Sequence, residues 1–207
     1  MGYIEAIRSV RNRVTVRLDS GRTFTLRRRD LEELGLTEGA ESEEAELEKE
    51  ILRQQYRDAL SAAVSLLAAR PYSEQEIRRK LMDRGFCAET ADLAVYRLRK
   101  EKLLDDNDFS RQWVRYRTGC RWGPGRILRE LIAKGVDEET ARGAISESDP
   151  EEAGNAALHL VRKALRNRKA DEPPTKARQR IIQGLVRRGY DWDTAREAYE
   201  RALEESE

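Results

Sequence analysis

The chain has 207 residues, 38% charged and 39% hydrophobic, and its 40 basic and 39 acidic residues leave a net charge of +1. Disordered chains combine a large net charge with a low content of hydrophobic residues, so this balance of charges predicts a folded, helix-rich protein. No apolar run approaches the roughly 18 residues of a membrane span. We therefore expect a cytoplasmic protein.

The residues available for catalysis are few. Cys87, Cys120 and the single histidine, His159, offer no ordinary zinc spacing. The sequence also has no glycine-rich phosphate loop. His159 lies in a stretch with a helical pattern, where we expect a partly buried structural residue and not a catalytic base. The prediction is a binding protein that is not an enzyme and needs neither metal nor cofactor.

Residues 1–40 predict a small β-rich segment. Apolar and polar residues alternate in residues 14–18 and again in residues 23–26, on either side of the turn sequence Asp19-Ser20-Gly21. This pattern is typical of a β-hairpin. Because two strands alone are marginally stable, we expect residues 3–7 to add a third strand. An apolar lid would come from Leu31, Leu34 and Leu36.

Residues 41–58 predict an acidic linker helix. Residues 31–50 contain nine glutamates against one lysine, whereas residues 1–30 contain eight arginines against three acids. From Glu41 onward the acidic run passes into apolar residues at helical spacing, namely Leu47, Ile51, Leu52, Tyr56, Leu60, Val64 and Leu67. Acid at the N-terminal end is favourable for a helix. The pattern therefore predicts one amphipathic helix of about 25 residues.

An internal repeat organises the rest of the chain. Eight positions recur in fixed register three times. They are Ile77, Leu81, Gly85, Phe86, Thr90, Ala91, Ala94 and Val95; then Ile127, Leu131, Gly135, Val136, Thr140, Ala141, Ala144 and Ile145; then Ile181, Leu185, Gly189, Tyr190, Thr194, Ala195, Ala198 and Tyr199. The glycine fits the left-handed residue that ends a helix, and the apolar residue after it can pack back on that helix. Each repeat therefore predicts two helices joined by a glycine turn.

The stretch before each pair supplies a third helix. Ser73 and Glu76 form a capping box ahead of one helix, and Asp105 to Asp108 offer N-cap residues for another. We expect a mainly α fold of three tandem three-helix repeats, in an elongated, curved array behind the N-terminal β-hairpin segment. The three repeats would cover residues 59–104, 105–147 and 148–207.

Residues 109–129 form the clearest basic stretch after residue 30. The stretch has no acid and six arginines, Arg111, Arg115, Arg117, Arg121, Arg126 and Arg129. Aromatic residues lie among them, as expected of a surface for nucleic acid or an acidic protein. By helical spacing, Phe109, Trp113 and Tyr116 belong to the core. Arg111, Arg115 and Trp122 fall off that stripe, so we expect them to be exposed.

Smaller basic clusters lie near the core of each repeat and are also typical of a solvated helix face. The first contains Arg78, Arg79, Lys80 and Arg84. Two others contain Arg162, Lys163, Arg166, Arg168 and Lys169, and then Arg187 and Arg188. The candidate partner-binding residues are the six arginines of residues 109–129 with Trp122, together with the first cluster.

The order of these elements resembles the RecX family of recombination regulators. Three segments carry the resemblance, Ser73-x-x-Glu76-Ile77-x-x-Lys80-Leu81-x-x-x-Gly85-Phe86, Leu103-Leu104-Asp105-Asp106-x-x-Phe109 and Gly123-x-x-Arg126-Ile127-x-x-Glu130-Leu131-x-x-Lys134-Gly135. The resemblance covers about residues 59–203. One departure is Lys102, which stands where the family often has glycine.

The resemblance implies three tandem three-helix repeats and one partner, the RecA recombinase filament on single-stranded DNA. Such proteins usually restrain the filament's ATP hydrolysis and strand exchange in recombination and DNA repair. The alternative is a direct DNA-binding helical-repeat protein, because three-helix units also resemble helix-turn-helix modules. A net charge of +1 and a pI of about 7.7 favour the filament regulator, with at most a weak direct DNA contact. We expect a monomer.

Overall fold

The computed structural model describes residues 2–11, 13–169 and 171–205. In this part of the chain the strands are β1 (Gly2–Val10), β2 (Arg13–Leu18), β3 (Thr23–Arg27) and β4 (Glu41–Ser42). The helices are α1 (Arg28–Glu33), α2 (Glu44–Ala69), α3 (Glu74–Asp83), α4 (Ala88–Lys100), α5 (Asp106–Gly119), α6 (Pro124–Ala133), α7 (Glu138–Ser146), α8 (Pro150–Arg166), α9 (Pro174–Arg187) and α10 (Trp192–Glu204). Two compact units divide the chain, Met1–Asp105 and Asp106–Glu207. No helix in the described residues combines the length and apolar character needed to cross a bilayer.

The N-terminal segment is an antiparallel sheet in the order β3-β2-β1-β4. The predicted hairpin is confirmed, since Val14 pairs with Leu26 and Val16 with Phe24. The predicted third strand is β1, and the short β4 adds a fourth. Inward residues of the sheet pack on α2, and Leu31, Leu34 and Leu36 cover the edge of this core as predicted.

A buried polar cluster joins the sheet to the first repeat within the same unit. Arg27, at the end of β3, pairs with the fully buried Asp30 and also with Asp58 of α2, at 2.9 Å. Its guanidinium carbon lies 4.2 Å from the ring centroid of Phe86. The buried Gln55 accepts a hydrogen bond from the backbone N–H of Cys87 at 3.1 Å. These contacts place the N-terminal sheet on the turn between α3 and α4.

The predicted acidic amphipathic helix is confirmed as α2, which has 26 residues and passes without a break through residues 58 and 59. Its buried face differs in part from the prediction. Leu47 and Ile51 are buried as expected, but Val64 is 47% exposed, and the small residues Ala59 and Ala63 occupy the core. Small side chains there let α2 pack closely on α4.

The glycine turns of the three repeats have one geometry. Gly85, Gly135 and Gly189 have φ values of 94°, 87° and 94°. In each turn the glycine N–H and the next N–H donate back into the helix, as Gly189 does to Val186 at 2.9 Å and Tyr190 to Leu185 at 3.2 Å. This is the Schellman pattern, and its apolar closing pair is buried in each repeat. The predicted two-helix unit is confirmed three times.

The first helix of each repeat completes the bundle. The C-terminal part of α2 packs with α3 and α4, α5 packs with α6 and α7, and α8 packs with α9 and α10. Each set encloses its own apolar cluster. The capping box of Ser73 and Glu76 is present at the start of α3. The expectation for His159 is wrong, because this residue is exposed on α8 while its neighbour Leu158 faces the core.

The start of α6 meets the last glycine turn backbone to backbone. Gly123 donates its N–H to the Arg188 carbonyl at 3.0 Å, and Gly125 donates to the Gly189 carbonyl at 2.9 Å. A Cβ atom on Gly123 would lie 2.3 Å from the Gly189 carbonyl carbon. Only a residue without a side chain permits this approach. The second and third repeats are therefore in direct contact at these two glycines.

Candidate partner-binding surfaces

The buried face of α5 is not the aromatic stripe that its spacing predicts. Phe109 is buried, but the other buried residues are Ser110, Val114 and Thr118. Trp113 is half-buried at the rim of this core, and Tyr116 is 60% exposed. The prediction that Tyr116 belongs to the core is wrong. Apart from Phe109, smaller side chains form the buried face of α5.

Two of the six arginines of residues 109–129 bind a carboxylate just beyond the stretch. Arg117 donates two hydrogen bonds to Glu130, at 2.6 and 2.5 Å, and Arg126 donates a third at 3.1 Å. Burial favours the neutral acid, yet the hydrogen bonds from the two arginines leave the pKa of Glu130 below its ordinary value. Arg117 and Arg126 thus share one carboxylate, which offsets one of their two positive charges.

Trp122 is half-buried beneath guanidinium groups, which corrects the prediction that it is exposed. The guanidinium carbon of Arg126 lies 3.6 Å from its ring centroid. Arg188 lies at 4.9 Å and Arg117 at 5.4 Å from the same ring. Cation–π contacts of this kind stabilise by about 0.5–2 kcal/mol each. In this arrangement Trp122 packs the second repeat against the third.

The remaining four arginines of the stretch are exposed. Arg111 has only long ion pairs, 3.9 Å to Asp108 and 3.8 Å to Glu147. Arg115, one turn later on α5, makes no ion pair with any residue that the structure describes. Arg129 donates to the Gly125 carbonyl at 3.1 Å. Arg111 and Arg115 therefore present two guanidinium groups on one exposed helix face.

Arg121 ends α5 in an unusual conformation. Its φ is 60°, and Trp122 donates its N–H back to the Arg117 carbonyl at 3.1 Å, so Arg121 occupies the left-handed position of a Schellman turn. Lys102 does the same after α4, with a φ of 57°. Glycine is the usual residue at this position because a Cβ strains it. Lys102, which stands where the family often has glycine, therefore keeps the same turn with a less favourable residue.

The basic cluster of the first repeat is divided between paired and exposed side chains. Arg78 binds Asp92 through two contacts, at 2.5 and 3.3 Å. Lys80 lies 5.3 Å from the ring centroid of Tyr72, and Arg84 donates to the Ala62 carbonyl at 3.4 Å. Arg79 is exposed. This cluster belongs to the unit Met1–Asp105, whereas residues 109–129 belong to the unit Asp106–Glu207.

Sequence reasoning missed two features of these surfaces. Glu130 is the counterion of the basic stretch, and the only sequence signal was its position four residues after Arg126, where an ion pair on one helix face is favoured. The second feature is Tyr116, an exposed aromatic residue among the arginines of α5. Trp113, one turn earlier, instead stacks on the buried Phe109, with ring centroids 6.0 Å apart.

Three family models match the helical part of the chain, one for each bundle. They are described as the first, second and third three-helix domains of RecX, and they match residues 59–98, 105–145 and 151–199. The chain belongs to the RecX family. Relatives named regulatory protein RecX include one from Mycolicibacterium smegmatis, 33% identical over 69% of this chain and 78% of that protein. Another, from Prosthecochloris aestuarii, is 36% identical over 71% of this chain and 95% of that protein.

Solved RecX structures share the fold. A crystal structure of regulatory protein RecX covers 99% of this chain and 100% of its own, with a TM-score of 0.67 and 24% sequence identity. RecX from Lactobacillus salivarius covers 72% of this chain and 97% of its own, with a TM-score of 0.68 and 20% identity. At these identities the likeness concerns the fold alone. It agrees with three RecX three-helix domains behind a small antiparallel sheet.

Proposed function

We propose that this RecX-family protein regulates the RecA recombinase, mainly as an inhibitor. It binds the RecA filament on single-stranded DNA in the cytoplasm and restrains ATP hydrolysis and strand exchange during recombination and repair. The observation that carries the proposal is the set of three tandem RecX domains, each with an intact glycine turn. The relatives' name, regulatory protein RecX, supports a regulator without catalysis of its own.

In this proposal the exposed cations of the second repeat make the principal contact with the filament. Arg111 and Arg115 are suited to it because their guanidinium groups are exposed and at most weakly paired. Guanidinium forks bind carboxylates and phosphates in the same bidentate geometry, and a filament presents both. Arg79 and Arg84 of the first repeat would add a second contact.

The proposal is tested by comparing binding to RecA filaments with binding to naked single-stranded DNA. Labelled DNA of one length is titrated with the protein before and after filament assembly, at one salt concentration. A filament regulator binds the assembled filament much more tightly than the DNA alone. Equal affinity for both would instead favour the direct DNA-binding alternative.

A further inference from the structure

A cleft in the third repeat lies outside the surfaces described above. It has a volume of about 420 Å³ and lies between α8 and α9. Leu160 and Ile181 contribute to its apolar floor, and its cationic lining residues are Lys163, Arg180, Arg187 and Arg188. No carboxylate lies among the described residues that line it.

The charge of this cleft is largely uncompensated. Arg180 donates two hydrogen bonds to the carboxylate of Glu172, each at 2.9 Å. Lys163, Arg187 and Arg188 have no ion pair with any carboxylate in the part of the chain that the structure describes. Arg188 is held in place by its contact with the Trp122 ring. Three cations, from α8 and from the end of α9, therefore line one concave surface without a counterion among the residues that the structure describes.

The neighbouring face of α8 is also cationic. Arg121, Arg166, Lys163 and Arg162 all lower the pKa of His159, with Arg121 the largest cause. His159 is not among the residues that line the cleft, and Arg162 on that face is paired with Glu205. The uncompensated charge of the cleft therefore belongs to Lys163, Arg187 and Arg188.

We propose that the cleft between α8 and α9 binds the phosphate backbone of a nucleic acid, through Lys163, Arg187 and Arg188. A phosphodiester chain carries one negative charge on every unit, so a strand in the cleft can meet cations of both helices. An acidic protein would need a carboxylate-bearing segment narrow enough to enter. Because none of the described residues that line the cleft is aromatic, they offer no platform for base stacking, and recognition is independent of sequence.

This site is distinct from the filament-binding surface of the proposed function. It needs no recombinase, and it contributes a weak direct contact with DNA on the third repeat. Its test therefore uses the protein and an oligonucleotide alone. Failure of the cleft proposal leaves the filament proposal intact.

The experiment measures binding of the full-length protein to a fluorescent oligothymidylate of about 30 nucleotides by anisotropy, between about 50 and 200 mM salt. The test variant is K163Q/R187Q. The control, R142Q/R196Q, removes the same charge from the same unit at exposed positions that are ion-paired on their own helices. Thermal unfolding of all three proteins checks that each is folded.

The cleft proposal predicts that K163Q/R187Q binds about tenfold more weakly at the lowest salt, while the control changes less than about twofold. The slope of log affinity against log salt should fall by about 1.4 in the test variant, because two fewer phosphates are neutralised. Equal weakening in both variants, or no binding by the unaltered protein, would overturn the proposal. Displacement of the oligonucleotide by polyglutamate at equal charge would also overturn it, by assigning the cleft to an acidic polypeptide.

Discussion

Gly125 donates its backbone N–H to the carbonyl oxygen of Gly189 at 2.9 Å, which brings the start of α6 onto the turn between α9 and α10. At this contact a Cβ on Gly189 would lie 2.4 Å from the Arg126 nitrogen. The same residue also needs its positive φ to end α9. Gly189 therefore serves the turn of its own repeat and the packing of the neighbouring one.

Three glycine-to-alanine variants separate these two requirements. Gly21 has a φ of 83° and open space around it, so G21A should cost only left-handed strain, about 1–2 kcal/mol. Gly123 has an ordinary φ of −78° but no room for a Cβ, so G123A tests the close approach alone. G189A combines both and should destabilise most, by about 3 kcal/mol or more. Urea unfolding measures the loss of stability in each variant. A loss in G189A no larger than that in G21A would contradict the prediction.

Two of the non-glycine residues with a positive φ, Lys102 and Arg121, give an opposite prediction. K102G and R121G should each raise the free energy of unfolding by about 0.5–1 kcal/mol, since relief of strain exceeds the added freedom of the unfolded chain. Urea unfolding of both variants checks this expectation. Unchanged or lower stability in both would show that these left-handed residues carry no strain to relieve.

Glu130 should make a measurable contribution to stability. E130Q leaves the guanidinium of Arg117, whose side chain is only 17% exposed, without its counterion and should cost about 1–3 kcal/mol at neutral pH. The folded-state pKa of Glu130 lies below the ordinary 4.5. The contribution is therefore complete well above pH 4.5 and is lost as the pH falls through the lower folded-state value. Chemical unfolding across this range should show E130Q and the unaltered protein converging in acid, and a constant difference would count against the ion pair.

Local interactions made the repeats predictable from sequence. Leu81, Gly85 and Phe86 lie within six residues, and their Schellman turn follows from residue types at fixed spacing. The face of α5 was mispredicted for a physical reason. Two stripes of α5 fit a helical period, and the larger aromatic residues favoured the wrong one. Beside Phe109 the helix buries Ser110, Val114 and Thr118, and helical spacing alone does not distinguish the two stripes.

The candidate sites depend on contacts between residues far apart in sequence. The cover of Trp122 by Arg188 spans two repeats, and so does the contact of Gly123 with Gly189. Spacing along the chain carries no signal for either contact. For the same reason, sequence identified the cations of α8 and α9 only as separate clusters. Their convergence on one cleft appears once the third repeat is folded.

Reversing the charges of Arg111 and Arg115 tests the surface proposed to bind the filament. R111E/R115E should weaken binding to the RecA filament at least about tenfold and leave the free energy of unfolding within about 0.5 kcal/mol, because both side chains are exposed. The affinity of the unaltered protein should also fall as salt rises. R142E/R196E serves as the control of equal charge. Unaltered filament affinity in R111E/R115E would move the interface to Arg79 and Arg84 or to the basic N-terminal sheet.

Regulation of RecA is tested most directly by the rate of ATP hydrolysis by RecA on single-stranded DNA as this protein is added. The rate should fall with increasing protein, and strand exchange should fall with it. The purified protein alone should hydrolyse no ATP. An unchanged recombinase rate at concentrations that saturate the filament, or ATP hydrolysis by this protein itself, would contradict its assignment as a RecA regulator.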